Sequence, residues 1–221
     1  MTDFATLRQR MVDNQIRPSD VTDHEIIRVF STVPRELFVP EDERPFSYAD
    51  RDLKIASTPG GDRYMMAPSQ FARLVQAMGL RRDSVVLVVG AGSGYSSAVL
   101  SRLVGGVVAL EENDSLVSAA EGALKALGTP NVAIAQSRLV DGYPSSGPYD
   151  AILVDGAVEV LPDAYVRQLK PGGILALVKQ EGRLSRAMLY ERVGDQVAGR
   201  VLFDAWAPIL PGFERKPEFI F

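Results

Sequence analysis

One segment constrains the fold of this chain more than any other, because an apolar run opens there into three glycines. Residues 85–97 are VVLVVGAGSGYSS. The Val and Leu run predicts a strand. Gly90, Gly92 and Gly94 predict a loop whose backbone a ligand can approach closely, since no side chain stands in the way. A predicted helix follows, and its free N-terminal N–H groups would face the same ligand. This order favours an α/β fold with a nucleotide-type ligand at the loop.

Short runs rich in Val, Ile and Leu recur along the rest of the chain, separated by segments with helical spacing. This alternation predicts a mostly parallel sheet with helices on both faces. Leu116 and Ala120 lie on one face of such a helix, and Gly128 stands where that helix would end. Two extended runs near the C-terminus flank Gly194-Asp195 and predict an antiparallel hairpin. The predicted strands cover residues 85–89, 107–110, 132–135, 150–154 and 174–178.

The sequence before residue 80 has a different pattern, with helical segments joined by extended sequence that contains Pro and Gly. Helices are predicted over residues 7–16, 23–32 and 69–78, and the third carries an apolar stripe of Phe71, Leu74, Val75 and Met78. We expect one domain over residues 1–221. Residues 1–79 would form a cap against the ligand edge of the sheet, and residues 80–221 the core and its hairpin. The ending PGFERKPEFIF is expected to close the last strand, and the alternative is that it faces the acceptor.

Composition restricts the partners and the location of the protein. The chain has 221 residues, a formal net charge of −4 and no cysteine. The negative charge offers no general attraction for nucleic-acid phosphates. Without cysteine there are no disulfides, no thiolate catalysis and no zinc–thiolate site, and the N-terminal segment lacks the apolar core of a signal peptide. No apolar run approaches the roughly 18 residues of a membrane span. We therefore expect a cytoplasmic monomer or weak dimer with no metal, nucleic-acid or membrane partner.

The spacing of the glycines distinguishes between two nucleotide-type ligands. A dinucleotide fingerprint places its third glycine three positions after the second, where this chain has Tyr95. The next strand ends in Glu111-Glu112, about 20 residues after the first glycine, where an acid can accept hydrogen bonds from both ribose hydroxyls. Glu111 is the stronger candidate because it directly follows the strand. This pattern resembles that of S-adenosylmethionine-dependent methyltransferases. The alternative is that the glycines only form a tight turn and that Glu111 is a solvated cap.

Several segments together resemble the protein-L-isoaspartate O-methyltransferase family over nearly the whole chain. MVDNQIR, VPRELFVPE and YADRDLKI are similar to its N-terminal region, residues 85–113 to its donor loop, and LGTPNV, PYDAILV and LKPGGILALV to its later strands. The resemblance implies a Rossmann-like class I methyltransferase fold, with seven strands in the order 3-2-1-4-5-7-6. It also implies S-adenosylmethionine as the methyl donor and the free carboxylate of isoaspartyl residues in damaged proteins as the acceptor.

Two groups of residues follow from this resemblance and from the loop pattern. The donor is expected to contact Gly90, Ala91, Gly92, Ser93, Gly94, Tyr95, Glu111, Glu112, Arg138, Leu139 and Val140. The candidate catalytic residues are Tyr64 and Asp155, the latter because it is expected at the carboxyl end of the fourth strand, where open parallel sheets bind ligands. The single histidine, His24, is expected to have a structural part at the start of a helix.

Three positions depart from the family's pattern. Met66 stands where the family has a serine at the acceptor carboxylate, and Val88 stands where an acid usually precedes the first glycine by two residues. The family's Gly-Asp-Gly segment aligns with Ser137-Arg138-Leu139, so a base replaces an acid beside the expected adenine pocket. A carboxylate that enters a site lined by Met65 and Met66 loses hydration without gaining a hydrogen bond, at a cost of about 1–3 kcal/mol.

These departures leave three functions open. Methyl transfer to a carboxylate depends on alignment more than on a general base, since the acceptor is already deprotonated at neutral pH. An isoaspartyl methyltransferase is therefore the first hypothesis. The second keeps the donor and changes the acceptor to a more apolar one, and the third is a non-catalytic binding protein on the same fold. In the plainer interpretation of the substituted positions, Met65 and Met66 fill the core and Arg138 is a surface residue.

Overall fold

The apolar runs of the sequence form the centre of one seven-stranded sheet in the computed structural model, which describes residues 3–215. The strands are β1 (Leu53–Thr58), β2 (Gly61–Met65), β3 (Val85–Val89), β4 (Gly106–Glu111), β5 (Val132–Gln136), β6 (Tyr149–Val158), β7 (Leu169–Glu181), β8 (Leu184–Val193) and β9 (Gln196–Asp204). Strands β3 to β7 pair in parallel, and β8 and β9 add antiparallel strands. The predicted α/β class and all five predicted strands are confirmed.

The order of the last two strands differs from the prediction. Counted from β3 as the first strand, the sheet has the order 3-2-1-4-5-6-7 and not 3-2-1-4-5-7-6. Only Gly182 and Arg183 separate β7 from β8, and only Gly194 and Asp195 separate β8 from β9. A two-residue connection holds consecutive strands side by side as antiparallel neighbours. The predicted hairpin at Gly194-Asp195 is confirmed.

Helices cover both faces of the sheet and the N-terminal region. They are α1 (Phe4–Met11), α2 (His24–Thr32), α3 (Pro68–Ala77), α4 (Tyr95–Ser101), α5 (Asp114–Leu127) and α6 (Asp163–Gln168). The predicted helix over residues 7–16 begins earlier and changes to a wider π-helical turn at Val12. The apolar stripe of α3 is buried as predicted. Helix α5 begins at Asn113, whose side chain accepts the N–H groups of residues 115 and 116, and ends at Gly128 with φ +68°.

The N-terminal region packs on the glycine-loop side of the sheet. Rings from this region surround Tyr95 at the start of α4, with centroid distances of 5.6 Å to Phe38, 5.9 Å to Phe71 and 6.5 Å to Phe30. Strands β1 and β2 form a separate antiparallel hairpin that the sequence patterns did not predict. The division of the chain at residues 79 and 80 stays a prediction.

The segment that follows β9 does not close the last strand. It returns instead to β6, where the Ala157 N–H donates to Pro208 O and the Leu210 N–H donates to Ala157 O, both at 2.9 Å. Phe213 is buried beyond it, against Tyr165. The prediction for the ending is therefore wrong for residues 211–215, and residues 216–221 lie outside the described part. Within residues 3–215, no helix has the length and apolar character needed to cross a membrane.

Candidate active site

The glycine loop lies at the carboxyl edge of the sheet, between β3 and α4. Gly90, Gly92 and Gly94 have φ values of +75°, +56° and +98°, in the left-handed region that glycine adopts without strain. The Gly90 and Ala91 N–H groups both donate to Leu110 O at 3.0 Å, so the start of the loop is tied to the end of β4. The predicted juxtaposition of the loop with the acid that follows β4 is present.

Glu111 is buried, with 1% of its side chain exposed. Its carboxylate accepts backbone N–H groups from Gly92 at 2.9 Å, from Glu112 at 3.0 Å and from Asn113 at 3.2 Å. The alternative of a solvated cap is therefore wrong. The contact to Gly92 joins the acid directly to the glycine loop.

Arg63 of β2 occupies the remaining side of this carboxylate. Its Nη1 atom lies 2.7 Å from Glu111 Oε1 and its Nη2 atom 2.8 Å from Oε2, and only 3% of the arginine side chain is exposed. With the three backbone N–H groups, five donors share two oxygens that together offer about four lone-pair sites. Glu111 has no remaining capacity to accept hydrogen bonds from a ribose.

Two apolar side chains fill the space above the glycines. A Cβ atom built at Gly92 would lie 2.6 Å from Ile55 Cδ1, and one at Gly90 would lie 2.9 Å from Leu210 Cδ1. The cavity that remains beside Arg63 has a volume of about 10 Å³, room for about one water molecule. Small-molecule sites have volumes of roughly 300–1,000 Å³. In this conformation the residues present do not fit S-adenosylmethionine.

The predicted catalytic candidates meet at this small cavity. Tyr64, Met66 and Asp155 line it together, with Asp52 and Asp62 as further acids. Met66 is buried as well, so it packs in the core and also lines the cavity. The structure brings these three residues together, and their catalytic roles stay predictions.

Asp155 is a buried acid near the carboxyl end of β6, with 8% of the residue exposed. Burial raises the pKa of its carboxyl group to about 6. The nearby Ser96 hydroxyl and the positive charges of Arg35 and Arg63 act in the opposite direction, and the charge of Asp52 adds to the rise. Asp155 therefore titrates close to the neutral range, unlike an ordinary aspartate.

Arg35 is a functional candidate that the sequence patterns missed. It is fully buried, its Nη2 atom donates to Met66 O at 2.6 Å, and its guanidinium carbon lies 4.7 Å from the ring centroid of Tyr95. Burial lowers its pKa. The only sequence signal is a base between apolar residues in VPRELFVP, which does not distinguish a buried arginine from a surface one.

Some expected donor residues are held by other parts of the protein. The Tyr95 ring is enclosed by the N-terminal region, and Ser93 Oγ donates to Phe38 O. Ala91 is buried in the loop itself. Val88, at the position of the family's acid, is fully buried within β3. The contacts of Tyr95, Ser93 and Ala91 with the donor stay predictions. The loss of a polar contact where Val88 replaces the family's acid is also a prediction.

The loop after β5 lies beside Glu112. The Leu139 N–H donates to Glu112 Oε2 at 3.2 Å, and Leu139 itself is buried. Val140 is half-buried. The Arg138 side chain is 76% exposed and lies 3.7 Å from Asp141, which agrees with the interpretation of a surface residue. The roles of these residues in donor binding stay predictions.

Comparisons with known proteins agree with this architecture. The family model for "Protein-L-isoaspartate(D-aspartate) O-methyltransferase" matches residues 6–204. A protein-L-isoaspartate O-methyltransferase of Roseiflexus sp. (strain RS-1) is 35% identical, over 98% of this chain and 99% of the relative. One from Ignicoccus hospitalis is 38% identical, over 79% of this chain and 82% of the relative. A solved structure of a protein-L-isoaspartate O-methyltransferase has a TM-score of 0.83 and 26% identity, and the match covers 93% of this chain and 66% of that one.

The family match includes the glycine loop, Glu111 and the cavity residues Tyr64, Met66 and Asp155. The relatives are similar over most of their own lengths, so the similarity is not limited to the widespread donor loop. The chain belongs to the protein-L-isoaspartate(D-aspartate) O-methyltransferase family.

Proposed function

We propose that this chain is an S-adenosylmethionine-dependent O-methyltransferase that methylates the carboxylate of isoaspartyl residues in damaged proteins. The observation that carries the proposal is the family match over residues 6–204, which includes the loop, its acid and the acceptor-side residues. Enzymes of this family use S-adenosylmethionine. The left-handed glycines and the contact between Gly92 and Glu111 support the same function.

The acceptor side of the site has chemistry of its own. A carboxylate acceptor would enter a place lined by Met66 and by the acids Asp52, Asp62 and Asp155, with Arg63 as the one cation among the described lining residues. Protonation of Asp155 would remove one repulsive charge. We therefore expect activity on isoaspartyl carboxylates to be higher near pH 6 than near pH 8.

The function is tested with a labelled methyl donor and two peptides of the same sequence. One peptide has an isoaspartyl residue where the other has an ordinary aspartyl residue. We expect a base-labile methyl ester on the isoaspartyl peptide alone. Gly92→Ala should lower it at least tenfold, because the loop needs φ +56° at this residue, where a side chain is strained. Gly122→Ala is the matched control, since its Cβ would meet nothing within 4 Å. Absence of labelled ester with the unaltered protein would contradict the proposal.

A second candidate function is methyl transfer from the same donor to a different acceptor. It is favoured because Met66 stands at the family's serine position and lines a cavity with several acids. Met66→Ser should then raise isoaspartyl turnover, because the hydroxyl can hydrogen bond to the acceptor. Unchanged turnover would mean that Met66 does not determine the acceptor. Val88→Asp is unsuitable as a companion variant, since it places a carboxylate at a fully buried position.

We further propose that the protein acts in the cytoplasm on protein or peptide acceptors, as a monomer or weak dimer and without nucleic acid. The absence of cysteine and the net charge of −4 support this. Sedimentation at two protein concentrations measures the oligomeric state, and a stable dimer at micromolar concentration would contradict it.

A further inference from the structure

The site that should hold the donor is filled by the chain itself, and this arrangement has a specific consequence. We infer that Arg63 and Leu210 form a latch over the glycine loop, and that the donor binds only after the β1–β2 hairpin separates from residues 205–213. The inference deepens the proposed function and rests on it for the identity of the donor. Its evidence is electrostatic, steric and mechanical.

The electrostatic part of the latch is the Arg63–Glu111 pair. Two charge-assisted hydrogen bonds of 2.7 and 2.8 Å link the guanidinium to the carboxylate in a buried place. A ribose that binds Glu111 must replace Arg63, because the acid already accepts five donors. Arg63 must then leave its buried position, since an unpaired buried guanidinium is costly.

The steric part is Leu210, which lies between two glycines. Cβ atoms built on Gly90 and Gly156 would come within 2.9 and 2.7 Å of Leu210 Cδ1 and Cγ, respectively. Gly156 is in strand β6 and has no positive φ, so backbone conformation does not require glycine there. The close approach of Leu210 is what excludes a larger residue. Gly156 therefore leaves the room that Leu210 needs to lie over the glycine loop, which is the closed position of the latch.

The mechanical part is the difference in anchoring between the two halves of the latch. Residues 205–213 are tied to β6 by hydrogen bonds at Ala157, and Phe213 O accepts the Glu159 N–H at 3.0 Å. The β1–β2 hairpin pairs with no other strand in the described part of the chain. Its buried side chains Leu53, Ile55 and Met65 and the Arg63–Glu111 pair hold it against the core, without backbone hydrogen bonds to the main sheet among residues 3–215. The hairpin is therefore the half that moves.

The hairpin tip and the C-terminal segment meet at Gly60 and Pro211, which offers a direct test. A Cβ built on Gly60 lies 3.1 Å from Pro211 Cβ. Disulfides need Cβ atoms about 3.5–4.5 Å apart, so Gly60→Cys with Pro211→Cys needs a shift of only a few tenths of an ångström. The chain has no cysteine of its own, and no other disulfide can form.

The measurement is calorimetric binding of S-adenosylhomocysteine to the oxidised and the reduced double variant. We expect binding to the oxidised form to be at least tenfold weaker and to recover on reduction. The single variants Gly60→Cys and Pro211→Cys, under the same oxidising conditions, control for the substitutions. Leu210→Ala is expected to bind at least tenfold more tightly than the unaltered protein, because it removes the side chain above Gly90. Measurable and equal binding by the oxidised and reduced forms would overturn the latch.

A second measurement needs no donor. Amide hydrogen exchange of β1, β2 and the Gly92 N–H should slow at least tenfold when the disulfide forms, because these amides exchange through opening of the hairpin. Unchanged exchange would overturn the latch. One combined outcome separates the latch from the donor: the disulfide slows exchange, but the reduced variant, Leu210→Ala and the unaltered protein all fail to bind S-adenosylhomocysteine. That outcome would support the latch and overturn the proposed donor.

Discussion

Two buried acids at the carboxyl edge of the same sheet have opposite surroundings. Glu111, at the end of β4, has a guanidinium on both oxygens and three backbone N–H groups. Asp155, near the end of β6, has no ion pair within 4.0 Å among the described residues, and burial raises its pKa to about 6. Both acids are buried, but only Glu111 has an ion pair and backbone donors on its carboxylate. The two positions therefore differ in their charged and hydrogen-bonding partners.

The difference also separates two functions of the site. In the proposed function, Glu111 would belong to the donor side, where Arg63 pairs with its carboxylate. Asp155 would belong to the acceptor side, where a change in its protonation would alter the charge that an acceptor meets. Four changes test this comparison.

The largest effect is expected from Arg63→Met. Glu111 would stay buried without its counter-charge, and the free energy of unfolding should fall by about 3–5 kcal/mol. Urea unfolding followed by circular dichroism measures it. The double variant Arg63→Met with Glu111→Leu should recover most of the loss, because no unpaired charge remains. A single variant as stable as the unaltered protein would show that the pair contributes nothing.

Asp155→Asn is expected to raise stability in a pH-dependent way. The folded pKa of about 6 lies above the unfolded value of about 4, so between these pH values the folded state holds a proton that the unfolded chain has lost. The Asp155 contribution therefore lowers the free energy of unfolding as pH rises from about 4 to 6, by about 3 kcal/mol in total. The asparagine variant should be more stable than the unaltered protein at pH 8 by up to that amount, and should lose this advantage near pH 4.

The control for this variant is Asp195→Asn, at a fully exposed position in the turn between β8 and β9. At pH 8 it should change the free energy of unfolding by no more than about 0.5 kcal/mol, because the position is exposed. A pH-independent effect of Asp155→Asn would contradict the raised pKa.

Arg35→Met tests whether the charge of Arg35 acts on the pKa of Asp155. The charge of Arg35 lowers the pKa of Asp155, so its removal should raise that pKa further above about 6. Carbon-detected NMR of the Asp155 carboxyl group measures the midpoint. Lys170→Gln, which breaks the Lys170–Asp150 pair at the amino ends of β6 and β7, should leave the midpoint unchanged. A midpoint that Arg35→Met does not move would show that Arg35 does not act on Asp155.

The smallest effect is expected from Arg138→Ala. Its pair with Asp141 is 3.7 Å long and exposed, and such pairs contribute little. The free energy of unfolding should change by no more than about 0.5 kcal/mol. A larger loss would mean that the loop after β5 depends on this arginine, and would weaken the contrast with the buried Arg63–Glu111 pair.

Much of the fold could be predicted because its signals are local. The five central strands are continuous apolar runs, since parallel strands buried on both faces leave no polar alternation. Gly128 and the stripe of α3 are visible within one helix length. The glycine loop and Glu111 could be linked because a strand, a turn, a helix and a strand follow one another in a single unit. The strand order implied by the family resemblance was wrong, because the two-residue turns on either side of β8 hold β7, β8 and β9 side by side.

The residues that close the site could not be predicted from local patterns. Arg63 and Glu111 are separated by 48 positions, and Leu210 reaches Gly90 from the far end of the chain. By itself, the sequence determined the α/β architecture and the loop, because periodicity and spacing carry that information, and its motifs indicated the family by resemblance. Only the tertiary structure decided which charge faces Glu111, what fills the space above the glycines and why the pKa of Asp155 is raised. These three features depend on contacts between segments that are far apart in the chain, and local sequence patterns do not specify such contacts.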